Sequence, residues 1–276
     1  HTSERSMDQN LAKTIHGFSD YVRETNPDLI VLHGDRVEAL AGAIVGALNN
    51  ILVAHIEGGE VSGTIDELIR HAVSKMSHSH FVSNNFARKR LIQMGEKDSS
   101  IFEIGSPDVD VMLSKELPSI EEVKSRYQIG FKEFGVVLFH PVTTEVNNIA
   151  EYARNLVDAL LESKKNFVVI FPNHDLGSSS ILAEFSRLEN NECFRIYPSI
   201  RFEYFLVILK NAHCLIGNSS AGIREAPYYG LPSINIGTRQ ENRALNDEIV
   251  NCSYKKEDII SCINLVFGQK YKPRSL

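Results

Sequence analysis

Short apolar runs of strand length alternate with segments of helical period along almost the whole chain, and that alternation points to the α/β class with parallel sheets. In the first half the strand candidates are LIVLH (29–33), ILVAHI (51–56), HFVS (80–83) and IFEIG (101–105). Helices are expected between them at 8–25, 37–49, 65–76 and 84–94, with a short one at 107–113. The second half repeats the pattern with GVVLFHP (135–141), NFVVIFPN (166–173), CFRIYP (193–198), HCLIGN (213–218) and LPSINIG (231–237), separated by helical segments such as 147–163 and 201–211. LSKELPSI (113–120) reads as the linker. Two such arrays describe two doubly wound domains, 1–115 and 116–265, facing each other across a cleft suited to a nucleotide-linked ligand, with 266–276 as a closing segment. The first array opens on a helix, so a strand, glycine turn and helix are expected to be missing ahead of it.

Composition removes several classes of function. The 276 residues are 43% hydrophobic, enough for two cores of ordinary size. Lys and Arg number 29 against 35 Asp and Glu, a formal charge of −6, and no basic block stands out. Nucleic acid is therefore not the expected partner, although a small basic pocket for a phosphorylated ligand is compatible with that balance. Cys193, Cys214, Cys252 and Cys262 lack C-x-x-C spacing, so neither a disulfide nor a zinc site is expected. No apolar stretch approaches the roughly 20 residues that cross a bilayer. The opening HTSERSMDQN is neither a signal nor a transit peptide, and a soluble cytoplasmic protein is the expectation.

Chemistry gathers where the strands end. Asp35 and Glu57 stand where LIVLHGDR (29–36) and ILVAHIEGGEVSGTIDELIRH (51–71) give out into glycine, and ligands of open α/β sheets collect at the carboxyl ends of strands. Asp66 and Arg70 share one face of the following helix, as a surface ion pair or as part of the site. The glycines of GGEVSG would let a ligand approach the backbone.

GNSSAGIREAP (217–227) follows a strand and opens a helix, with Ser219 and Ser220 near the cap, either as plain N-caps or as donors to phosphate. Glu225, one turn in, is placed to accept ribose hydroxyls. His140 ends VVLFH before Pro141 and could contact a diphosphate or protonate a leaving group, or be structural. Asn173 and Arg239 occupy comparable strand ends. His33, His55, His71, His78 and His80 show no metal-ligand pattern, and His33 and His55 read as buttresses of the acids.

In HGDR, HIEGGEVSGTIDELIRH, FHPVT, FPN, GNSSAGIRE and GTRQ the chain resembles the UDP-N-acetylglucosamine 2-epimerase family, and more specifically its hydrolysing branch, which serves sialic acid biosynthesis. The resemblance covers essentially the whole chain in order. It implies two Rossmann-like domains in the glycosyltransferase-B arrangement, a last helix folding back onto the first domain, no cofactor and no metal. It further implies a UDP-sugar substrate in the interdomain cleft and a homodimer or homotetramer. The implied reaction takes UDP-N-acetylglucosamine and water to N-acetylmannosamine and UDP through 2-acetamidoglucal.

By motif position Asp35, Glu57 and Asp66 match the catalytic acids, His140 the histidine near the diphosphate, and Arg70 a partner of the acidic group. Ser219, Ser220, Glu225, Asn173 and Arg239, with Gly217 and Asn218 of the same turn, match the nucleotide-holding positions. Other readings are a hydrolysing epimerase for UDP-N,N'-diacetylbacillosamine on the route to legionaminic acid, a non-hydrolysing epimerase, a catalytically dead sugar-nucleotide sensor, and a retaining glycosyltransferase. GGEVSGTID speaks against the non-hydrolysing branch, which generally carries an arginine-containing AGLRT run there, and three intact acids speak against the sensor.

Overall fold

The computed structural model describes residues 6–62, 65–173, 175–240, 248–269 and 271, so most of the expected fold-back of 266–276 lies outside the described residues. By packing, the chain divides into two compact units, His1–Asp110 and Val111–Leu276.

The first unit runs α1 (Met7–Thr25), β1 (Leu29–His33), α2 (Val37–Leu48), β2 (Leu52–Ile56), α3 (Ile65–Lys75), β3 (Ser79–Val82), α4 (Asn85–Gln93) and β4 (Ile101–Glu103), followed by a short α5 (Pro107–Met112). Its strands form one parallel sheet in the order β1-β2-β3-β4. Local chemistry sets the boundaries. Asn26 adopts the left-handed conformation and returns its N–H to Val22 O, and Pro27 then forbids further helix. Asn84 caps α4 by accepting the Ala87 N–H at 2.9 Å. Ile30 and Leu32 of β1 turn inward onto Val22, Val37, Val45, Val53 and Val73, while Leu29 and Val31 face outward and stay exposed, as a period of two requires.

The second unit runs α6 (Ile120–Arg126), β5 (Gly135–Leu138), α7 (Ile149–Ser163), β6 (Phe167–Ile170), α8 (Ser178–Phe185), β7 (Phe194–Tyr197), α9 (Phe202–Asn211), β8 (Leu215–Gly217), α10 (Ala221–Arg224), β9 (Ser233–Ile236), β10 (Ile249–Cys252) and α11 (Lys256–Val266). Its six parallel strands take the order β10-β9-β8-β5-β6-β7. Every residue of β5, β6 and β9 is buried, because apolar side chains cover both faces. Phe139, Leu156, Phe185 and Ile263 fill one side, and Val136, Val168 and Ile208 the other.

The strand order reverses between β5 and β8, the switch point at which ligands of open α/β sheets bind. His140 lies just beyond the end of β5 and Asn218 just beyond that of β8. Among the described residues no helix is long and apolar enough to cross a membrane.

Candidate active site

In the first unit the neighbouring parallel strands β1 and β2 deliver two acids to the same sheet end. Glu57 continues the ladder by donating its N–H to Phe81 O at 2.8 Å, then turns sharply with φ +62. A left-handed non-glycine residue costs on the order of 1 kcal/mol or more, and such strain concentrates at functional positions. The Glu57 carboxylate is buried. Ser106 Oγ donates to its Oε1 at 2.5 Å, and His33 Nε2 stands 3.2 Å from its Oε2.

Asp35 is held by Arg70 from α3, whose other guanidinium nitrogen donates to Glu60 O at 3.1 Å. Asp66 has Arg36 Nη1 at 3.9 Å. The helical spacing leaves Asp66 and Arg70 as a surface ion pair or as part of the site; Arg70 is buried and reaches from the helix to the strand end, where it forms an ion pair with Asp35.

Gly58 and Gly59 of GGEVSG are also placed differently from the sequence expectation, and Gly63 lies outside the described residues. A Cβ on Gly58 would meet Ser74 Oγ at 2.8 Å and His55 Nδ1 at 2.9 Å, and one on Gly59, with φ +77, would strike Ala87 O at 2.5 Å. Their lack of side chains admits the protein's own atoms. The segment is held further by Arg90, which donates to Gly59 O, and by Asn84, which donates to Glu60 Oε1 at 2.8 Å.

Beneath the acids lies His55, fully buried, with Nε2 2.9 Å from Gly34 O and Nδ1 3.0 Å from Ser74 Oγ. Only a carbonyl faces Nε2, so the neutral ring carries its proton there and ties the Gly34 turn, and with it Asp35, to α3. Burial pulls the His55 pKa down from 6.5 to about 4, against the Gly34 carbonyl, which raises it. Between those values the unfolded chain binds the proton and the folded one does not, so stability is complete above pH 6.5 and falls as pH drops toward 4. The expected loss approaches about 3 kcal/mol across that window. Urea midpoints measured from pH 7 to 4 check it, because His55→Gln should show a shallower decline than the parent.

The second unit builds its part around Asn218. The Asn218 side chain accepts His140 N–H at 2.7 Å through Oδ1 and donates to His140 O at 2.8 Å through Nδ2, clipping the end of β5 to the end of β8. Its own carbonyl accepts Arg239 Nη1 and Gln240 Nε2, both at 3.1 Å. Asn173 N–H donates to His140 Nδ1 at 3.1 Å, which leaves Nε2 as the protonated nitrogen, a donor suited to an anionic oxygen. The loop bearing Arg239 is braced from below. Thr238 Oγ1 and Tyr254 OH donate to the two oxygens of Glu145 at 2.5 and 2.9 Å, and the Tyr254 ring stacks on Tyr152 at 3.6 Å.

After Gly217 the expected helix is only the four residues of α10, since Pro227 ends it and the chain passes into a 3₁₀ turn. Neither serine makes the side-chain cap of a long helix. Ser219 Oγ accepts Ala221 N–H at 3.3 Å, and Ser220 makes no side-chain cap bond. The turn is an assembly of hydroxyls and N–H groups at the switch point, with Glu225 buried behind it.

His78 and His80 are built into the fold. His78 Nδ1 accepts Val53 N–H at 3.1 Å, and His80 lies 3.3 Å from Glu96. Among the described residues no three His, Cys, Asp or Glu side chains form a metal-binding group, and the four cysteines are free thiols. Sequence reasoning missed Ser106, Arg36 and Gln240. Ser106 follows β4 at the same sheet end as the acids, so the strand-end rule that found Asp35 and Glu57 could have found it too.

Comparison with known proteins follows the same lines. A sequence profile described as UDP-N-acetylglucosamine 2-epimerase matches residues 1–275. The UDP-N-acetylglucosamine 2-epimerase of Neisseria meningitidis serogroup B is 52% identical over 253 residues, 92% of this chain and 67% of that protein. The hydrolyzing UDP-N,N'-diacetylbacillosamine 2-epimerase of Legionella pneumophila is 34% identical over 259 residues, 93% of this chain and 68% of that protein. Among solved structures, the Methanocaldococcus jannaschii UDP-GlcNAc 2-epimerase in complex with UDP-GlcNAc and UDP superposes with a TM-score of 0.77 at 22% identity, covering 97% of this chain and 77% of that one. That likeness establishes the fold, two Rossmann-like units of the glycosyltransferase-B kind, and the chain spans about two thirds of the length of these sequence relatives.

Proposed function

The chain belongs to the UDP-N-acetylglucosamine 2-epimerase family, and on that premise we propose that it carries out the hydrolysing reaction, releasing UDP and free N-acetylmannosamine from UDP-N-acetylglucosamine. The observation that carries this reading is the convergence of Asp35 and Glu57 on one sheet end, each with its own partner, and with Asp66 on the next helix. Epimerisation at C2 needs one group to remove a weakly acidic proton and another to return one to the opposite face. A nucleotide-binding module has no use for such a set.

In the proposed sequence a carboxylate takes the C2 hydrogen, its electron pair forms the C1=C2 bond, and the C1–O pair departs with the diphosphate. Water then adds to C1 of the glucal while a second acid protonates C2, the water's remaining proton passes to the carboxylate of that second acid, and the first carboxylate returns its proton to solvent. His140, donating through Nε2, the Ser219 turn and Arg239 would stabilise the departing diphosphate, and Glu225 would accept ribose hydroxyls. Arg70 aims the Asp35 carboxylate. The GGEVSG segment and the Legionella relative named as hydrolyzing favour release of free sugar. The higher identity to the Neisseria enzyme favours UDP-N-acetylglucosamine over the diacetylbacillosamine nucleotide.

Incubating the full-length protein with UDP-N-acetylglucosamine in deuterated water and following the products by NMR tests this directly. UDP and N-acetylmannosamine carrying deuterium at C2 are expected. Accumulation of UDP-N-acetylmannosamine would overturn the hydrolytic reading, and product without deuterium would overturn elimination and reprotonation.

A further inference from the structure

His140 and Arg239 stand on two different loops, one leaving β5 and one leaving β9, and both can grip one diphosphate only if the loops keep a fixed spacing. The Asn218 clip fixes the first loop where it leaves the strand. Further out, Glu145 joins the two. It sits on the His140 loop in the 3₁₀ turn Thr143–Asn148, where its own backbone is non-helical (φ −120, ψ 19). Thr238 Oγ1, beside Arg239, donates to one of its carboxylate oxygens at 2.5 Å, and Tyr254 OH, from the loop after β10, donates to the other at 2.9 Å. Hydrogen bonds to an ionised acceptor are stronger than those between neutral groups. Burial pushes the Tyr254 hydroxyl up to about 12, so it keeps its proton for this bond at neutral pH. The ring is fixed in turn by Tyr152, stacked on it at 3.6 Å, and by Asn155 Nδ2, which donates to Tyr254 O at 3.1 Å. Gly237 lies so close that a Cβ there would fall 2.0 Å from Tyr254 Cζ.

We infer that Glu145 is a positioning residue for diphosphate binding, which holds the Arg239 loop at a set distance from His140. The inference rests on the proposed UDP-sugar substrate and deepens it, because it makes affinity for the diphosphate, and not for the nucleoside, depend on this carboxylate. Glu145 acts through Arg239 and not by contact with the anion, which its own charge would repel.

Binding of UDP and of uridine to the full-length protein, measured by ligand-observed NMR, separates this role from general support. Glu145→Ala removes both bonds and should weaken UDP about 10- to 100-fold while leaving uridine unchanged. Thr238→Val deletes one hydroxyl at an exposed position and should show the same selective loss to a smaller extent. Glu145→Gln should bind UDP much like the wild type, since the amide oxygen accepts one hydroxyl and the other hydroxyl turns to accept from the amide N–H. On an Arg239→Ala background the Glu145→Ala step should all but vanish. The inference is overturned if Glu145→Ala or Thr238→Val binds UDP like the wild type, or if Thr238→Val weakens UDP and uridine alike. It is equally overturned if Glu145→Gln is as weak as Glu145→Ala, or if the full Glu145→Ala effect survives on the Arg239→Ala background. A wild-type protein that binds no UDP would instead sink the proposed substrate, and the positioning role with it.

Discussion

Glu57→Gln should lower kcat for UDP release by about a thousandfold while leaving KM and the urea midpoint nearly unchanged. The substitution keeps the length and shape of the side chain. Ser106 Oγ can still donate to the amide oxygen, and the left-handed backbone at position 57 is no harder for glutamine than for glutamate. What disappears is the ability to accept or supply a proton at the ring carbon. A pre-steady-state measurement adds the decisive readout, since loss of the first proton transfer abolishes the burst of UDP, whereas loss of the second leaves the first-turnover burst intact and holds the enzyme as its glucal complex, which slows every later turnover. Wild-type turnover by this variant would remove Glu57 from the chemistry altogether.

The second large effect is on folding. Gly217 has φ +137, and a Cβ there would lie 1.9 Å from Leu138 O and 2.5 Å from Leu138 C. No side-chain adjustment relieves a clash between two backbones. Gly217→Ala must pull the end of β8 away from β5, which breaks the Asn218 clip on His140 and loosens the strand pairing beneath it. A loss of about 3–5 kcal/mol is expected, at the upper end of single substitutions. Gly222→Ala is the control. Its Cβ would sit 3.3 Å from Ser233 Oγ on helical backbone, and it should change the urea midpoint by less than about 1 kcal/mol equivalent. If the two variants unfold alike, the backbone argument at Gly217 fails.

The strands were legible where their apolar runs were uninterrupted. LIVLH coincides with β1, and the runs read for β2 and β5 to β9 each enclose the observed strand. β10 escaped notice because its IVNC carries Asn251 in the middle, and that residue is accommodated by a polar partner, Asn235 Nδ2 at 2.7 Å, which no hydrophobic pattern reveals. The acids were legible because glycine follows strand in both motifs. Their partners were not. Helical spacing points Arg70 toward Asp66, but the rotation of α3 on its sheet decides which side chains reach the strand ends, and that rotation is set by packing of Ile69 and Val73. Ser106 has no signature of its own, since serine after a strand is ordinary and only the fold brings it to Glu57. The motif GNSSAGIREAP signals that a helix opens but not how short it is, and Pro227 lies in the 3₁₀ turn that follows its four residues.

The strand order of the second unit also dictates when its chemistry can come into being. β5 finds β6 soon after both are synthesised, but its opposite edge waits for β8, and His140 and Asn218 are 78 residues apart. At ordinary rates of translation that interval is roughly five to fifteen seconds, during which a fully buried strand of the finished protein presents a bare edge to its surroundings. A nascent chain is therefore most exposed to pairing with the wrong neighbour just before the GNSS turn is made. The arrival of β8 and Asn218 covers that edge and clips it to His140 in a single event, so the protection of the central strand and the turn proposed to hold the diphosphate mature together.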